Sequence, residues 1–255
     1  MEFSTAKNLG LGGSIAGIIG ILVSVIIGIL VSVVVGVILV LGALKDLSRV
    51  MDITVIISTL VSVISGLIFL ELLLMPVGFI LVLVALNDLS EVYGDKSIFR
   101  DALGATIAAI LSWILFLFVF LVSAALGLLE GLLGAMEGEQ RVTGVLGASA
   151  IVSILVVVAV AVSALLWYRA LGALSARSGV GMFRWAAIFY AISAAILVVG
   201  LLLTVMLIGI FLKGVLIGIF IVLVARVVNL VSFILLALGF SSLKPPVTPA
   251  PQSGV

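Results

Sequence analysis

Three polar residues interrupt long apolar stretches and are the candidates for chemistry at depth: Arg226, Asn229 and Glu71. Arg226 follows Lys213 by about 18–20 Å of helix axis, with Asn229 one turn further along the same face. A guanidinium so far from water must meet protein, a cavity or an acid. It is either a mid-depth site for a small solute or anion, or an inter-helix staple to groups such as Thr204 or Tyr190; the staple needs no ligand and is preferred. Glu71 lies just before Pro76. Its preferred reading is the solvated acid of a turn, and its alternative, if it is deep, is a partner for Arg226.

Other chemistry is excluded by residue type. The chain has no histidine and no cysteine, which removes Ser-His and Cys-His nucleophile pairs, HExxH sites and conventional zinc sets. The aspartates Asp46, Asp52, Asp88, Asp95 and Asp101 fall at expected helix ends, so a buried aspartyl-protease pair is not expected. Glu130, Glu137 and Glu139 with Gln140 form an acidic loop whose default role is solvation. No glycine loop precedes a lysine to cradle phosphate. No cofactor, no metal and no enzymatic activity are expected. An enzyme acting on lipid would need carboxylates among Asp88, Glu91 and Asp95.

The elements that position these residues are membrane helices. Hydrophobic residues make up 65% of the 255 and charged residues 9%, with mean hydropathy +1.61. Soluble domains carry roughly 45–50% and about 25%. Uncharged runs such as Leu9–Leu44 and Ala102–Leu129 exceed the ~20 residues that cross a bilayer. The net charge of +1 gives no reason to expect nucleic acid. The start of the chain lacks a basic region and cleavage site, so a retained first span is expected. Scarce Asn and Gln are a thermophile's trait.

A repeat organises the spans. Gly36–Val50 (GVILVLGALKDLSRV) and Gly78–Val92 (GFILVLVALNDLSEV) agree at 11 of 15 positions, and Leu22–Gly28 agrees with Leu60–Gly66 at six of seven. If the exits Ala43–Ser48 and Ala85–Ser90 leave on one side, two helices must lie between them. Fainter copies occur at Ala170–Ser175 and Ala237–Ser242, and Gly followed by Phe-Arg-x-Ala recurs before Ala102 and Ala186. The expected fold is all-α: a polytopic bundle of about eight transmembrane helices in four tandem hairpins, with units at about 8–50, 51–95, 96–178 and 179–244. The spans are 6–26, 29–48, 53–73, 76–92, 99–129, 142–175, 183–212 and 215–243. With both termini cytoplasmic, the positive-inside count is nine against two; a six-span alternative gives seven against four. Residues 245–255 are expected to be a disordered, proline-rich cytoplasmic tail.

Gly12, Ala16, Gly20, Ser24, Gly28, Ser32 and Gly36 form a small-residue ridge at spacing four. Such ridges allow close helix approach in lipid. Packing within the chain is the preferred role, and a homo-oligomer face the alternative. The ridge runs unbroken across the proposed first turn, which counts against a break there.

In YGDKSIFRDA (Tyr93–Ala102), Asp95 or Ser97 is expected to cap the next helix, with Asp88, Glu91 and Asp95 pairing to Lys96 and Arg100. With the opening EFSTAKNLG (Glu2–Gly10), the stretch Gly78–Leu103 and the long helix pairs that follow, this run resembles an archaeal multi-pass membrane family known as domain of unknown function 996. One unit appears doubled here. The resemblance implies a cell-membrane location and brings no activity. The expected function is a non-enzymatic structural or interaction role in the lipid bilayer. The alternative is a transporter or channel using Arg226 and Asn229.

Overall fold

The computed structural model describes residues 3–43, 50–133, 139–207 and 213–245. Among these residues it is all-helical, with six helices: α1 (Phe3–Ala43), α2 (Val50–Val92), α3 (Lys96–Leu133), α4 (Glu139–Ser178), α5 (Met182–Leu207) and α6 (Lys213–Ser242). Each contains a stretch long and apolar enough to cross a membrane.

The expected eight-helix arrangement is corrected by this result. α1 runs unbroken through the proposed turn at 26–29, and α2 runs through Pro76. A turn inside an apolar run would leave backbone amides and carbonyls without partners in lipid, whereas a continuous helix satisfies them internally. Gly28, the natural hinge, instead faces Leu223: a Cβ there would lie 2.5 Å from its Cδ2. Ala43 ends α1 and Ala85 lies near the end of α2, which runs antiparallel to it, so a single helix and not two separates these repeat positions. Residues 44–49 of the first copy, the tail beyond residue 245 and Glu137 lie outside the described residues.

Each helix packs against the next, and α1 packs against α6, closing a six-membered ring. The start of α1 meets the end of α6 at one end of the ring, where the Lys7 ammonium donates to the Leu243 carbonyl at 3.2 Å. Aromatic rings fill the interior. Phe79 of α2 lies 5.9 Å from Trp167 of α4 and 5.8 Å from Phe233 of α6, and Trp167 lies 6.3 Å from Tyr190 of α5.

α1 packs between α2 and α6, and its small residues set two registers. Against α2, a Cβ on Gly13 would fall 2.8 Å from the Gly78 carbonyl oxygen and 2.8 Å from the Val82 nitrogen. Gly20 sits over Met75 in the same antiparallel register. Against α6, Phe240 covers Gly10 and Phe233 covers Gly17. Backbones that approach this closely gain dispersion contacts, which drive helix association in lipid.

Only part of the expected ridge lies on these faces. Gly20 and Ser24 are buried and Gly28 meets Leu223, but Gly12 is exposed with open space around it. Steps of four overshoot the 3.6-residue turn by about 40° each, so the ridge winds around the helix.

Candidate functional site

The α1–α2 register that places Gly13 beside Val82 also places Ser24 beside Glu71. The α1–α6 register that stacks Phe240 on Gly10 and Phe233 on Gly17 continues one heptad further to Ser24 and Arg226. Three helices therefore converge at one level. The Ser24 hydroxyl donates to Glu71 Oε1, and Arg226 Nη2 stands 3.3 Å from the same oxygen. Glu71 is the central residue of the 43-residue α2, about 32 Å from either end. Ser24 and Arg226 are similarly near the middles of α1 and α6.

The preferred reading of Glu71 as a solvated turn acid is thus corrected: it is buried and paired. Arg226 keeps 24% of its side chain accessible. Its partner is a carboxylate rather than Tyr190, while the Thr204 side chain lies outside the described residues. Asn229 is close in sequence on α6 and buried, but its Oδ1 has no hydrogen-bond partner among the described residues.

A second set of polar contacts ties the ring together without charge. The Ser163 hydroxyl of α4 donates to the Ala105 carbonyl of α3 at 2.9 Å and lies 3.2 Å from the Tyr190 hydroxyl of α5. Ser193 and Ser232 cross-link α5 and α6 through the Ala225 and Ala186 carbonyls, each at 2.8 Å. These serines were not singled out from the sequence. Each stands in a helical apolar stretch where an unpaired hydroxyl would be costly, and that was the available signal. The space between Phe79, Trp167, Tyr190, Ser232 and Phe233 has a volume of about 10 Å³, room for about one water. Trp167 Nε1 is buried without a partner among the described residues.

At the end where Lys7 and Tyr93 reach the Leu243 and Lys244 carbonyls, the YGDKSIF run forms a compact corner. Gly94, at φ +66°, ends α2, with Asp95 N–H donating to the Ser90 carbonyl and Gly94 N–H to that of Glu91. This is the glycine-closed helix terminus. Asp95 then caps α3, its Oδ1 accepting from the Ser97 amide at 3.1 Å and hydroxyl at 2.6 Å. Its ion pair is with Arg177 at the end of α4, 3.1 Å away, rather than with Lys96 or Arg100. The Ser97 hydrogen bonds first, and then Arg177, hold the Asp95 carboxyl below its usual value. Asp101 pairs with Arg100 at 3.6 Å and with Arg169 at 3.4 Å.

Among the described residues no group of three or more acidic side chains could hold a metal. Residues 74–209 match the model of a family described as "Protein of unknown function (DUF996)". The match takes in the Gly94–Asp95 corner and the serine links of α4 and α5, and leaves out Ser24, Glu71, Arg226 and Asn229. No curated protein and no solved structure matches the chain.

Proposed function

The chain belongs to the DUF996 family, and we propose that it is a non-enzymatic multi-pass membrane protein with a structural or interaction role. The observation that carries this reading is the filled interior: aromatic rings from α2, α4, α5 and α6 meet at the centre and leave space for about one water. The Glu71–Arg226 pair supports it, since its opposite charges and the Ser24 hydroxyl satisfy one another across three helices. We place the protein in the cell membrane with both termini cytoplasmic. The six-helix connectivity then puts Lys7, Lys96, Arg100, Arg169, Arg177, Arg184 and Lys244 inside, seven basic residues against four. Self-association through the whole ridge is left out, because Gly20, Ser24 and Gly28 pack within the chain.

The second reading, a small-solute transporter, draws on the Asn229 oxygen, without a partner among the described residues, and on a partly accessible Arg226 three residues before it. A near-isosteric probe separates the two. Ser24→Cys introduces a single thiol into a cysteine-free chain, with Lys244→Cys as the surface control. In inside-out membrane vesicles, which present the cytoplasmic face, a membrane-impermeant maleimide should label position 244 and spare position 24. Labelling of position 24 in folded protein would bring water to the ion pair and favour transport.

A further inference from the structure

We propose that a recess between the C-terminal end of α4 and the first turns of α5 binds the phosphate of an anionic lipid headgroup, with Arg184 as its cation. The recess has a volume of about 230 Å³ and is lined by Tyr168, Gly172, Ser175, Ala176 and Arg184. That far exceeds the ~10–15 Å³ needed for one water.

Charge is the first argument. Four arginines crowd this end of α3, α4 and α5, and three are engaged: Arg100 and Arg169 with Asp101, Arg177 with Asp95. Arg184 has no acidic partner among the described residues. Its counterpart in the other Phe-Arg-x-Ala segment, Arg100, is followed by Asp101, whereas Arg184 is followed by Trp185. The recess therefore has a free positive charge, and a guanidinium matches phosphate oxygens with paired donors.

Room is the second. Gly172 lies inside α4, where glycine costs about 1 kcal/mol relative to alanine. No neighbour requires it, because a Cβ there would meet nothing within 4 Å. The physical effect of this glycine is the open volume beside Arg184.

The third is where the recess lies. Tyr168 and Trp185 are exposed on its flanks, at 41% and 58%. Amphipathic rings of this kind sit at the headgroup level of a bilayer. Toward the middle of the same helices, Leu165 and Ile192 face outward and are exposed. A lipid whose phosphate met Arg184 would lay its acyl chains on those side chains. A free anion would use the charge but not the apolar surface, so the lipid is the better occupant. Basic pockets between membrane helices recognise headgroups in this way. The proposal does not depend on whether the bundle carries a solute.

The test measures phosphatidylglycerol binding to the full-length protein in neutral detergent, with phosphatidylcholine and inorganic phosphate as separate probes. Phosphatidylglycerol should bind more tightly than phosphatidylcholine. Arg184→Gln and, independently, Gly172→Leu should each weaken it by about tenfold or more, while Arg184→Lys keeps part of the affinity. Melting without lipid confirms that each variant is folded, and Gly172→Leu adds a better helix former in open space. Phosphatidylglycerol binding within about twofold of wild type in both folded variants overturns the proposal. So does inorganic phosphate binding as tightly as the lipid, which would make the site one for a free anion.

Discussion

Arg226 Nη2 lies 3.3 Å from Glu71 Oε1, and the Ser24 hydroxyl donates to that same oxygen. One carboxylate oxygen thereby links α1, α2 and α6 near their midpoints. The two charges are mutually dependent: each is tolerable at depth only while the other is present.

Removing either charge should therefore cost more than removing both. Glu71→Gln or Arg226→Met strands the remaining partner, at a cost of about 3 kcal/mol, the lower end for a broken buried pair. The lower end applies because Arg226 retains partial access. Glu71→Gln combined with Arg226→Met should recover most of that loss. A double-mutant cycle on unfolding in mixed detergent micelles gives the coupling; additive losses would show that the pair contributes nothing as a pair.

The close backbone approach of α1 and α2 makes a steric prediction. Gly13→Ala places a methyl carbon 2.8 Å from the Gly78 carbonyl oxygen, and Gly78→Ala places one 2.9 Å from that of Gly13. Backbone cannot rotate away, so α1 and α2 must separate, at about 1–3 kcal/mol. Gly12→Ala, one residue away in open space, should be neutral or stabilising by up to ~1 kcal/mol. Thermal midpoints of the three variants check the ranking, and equal effects at positions 12 and 13 would refute the register.

How much of this was legible depends on the range of each interaction. The corner at Gly94–Asp95 was readable because capping is local: Asp95 and Ser97 are two residues apart, and their bonding needs no distant partner. Asp95's ion pair was not, because Arg177 arrives from another helix. The helix count differs because the repeat asks for paired helices, with turns at 26–29 and before Pro76, and both runs are continuous. Proline reads as a break, yet in a long apolar helix the loss of one backbone bond is smaller than the cost of exposing a turn to lipid. Glu71 followed that error, since a turn would have made it a solvated acid. The small-residue ridge was visible as composition, but which of its members face a partner depends on the 3.6-residue period.

Acid should loosen the α2–α3 corner. The Asp95 carboxyl is held below its usual value by Ser97 and Arg177. A depressed folded pKa adds stability above the unfolded value, near 3.8, and that stability is lost as pH falls through the lower folded value. Asp95→Asn keeps a good capping side chain and removes only the charge facing Arg177. The wild type should melt above this variant at neutral pH, and the gap should close below about pH 4. A gap that persists unchanged into acid would show that the charge is irrelevant and the cap alone matters.

Trp167 offers the sharpest test of the filled interior. Its ring is 3% exposed and bridges Phe79 and Tyr190, so Trp167→Ala should cost about 3–5 kcal/mol through the cavity it leaves. Trp167→Phe opens a smaller void and also deletes Nε1, a buried donor without a partner among the described residues. An unsatisfied buried donor costs about 1–3 kcal/mol, so its removal offsets much of the lost packing. The phenylalanine variant should therefore stay within about 1.5 kcal/mol of wild type. If it is instead as unstable as the alanine variant, the indole N–H is satisfied in the folded protein, by a water or by a group outside the described residues. A water in that role would hydrate the interior at its centre, and the case for a purely structural core would weaken in favour of a solute path.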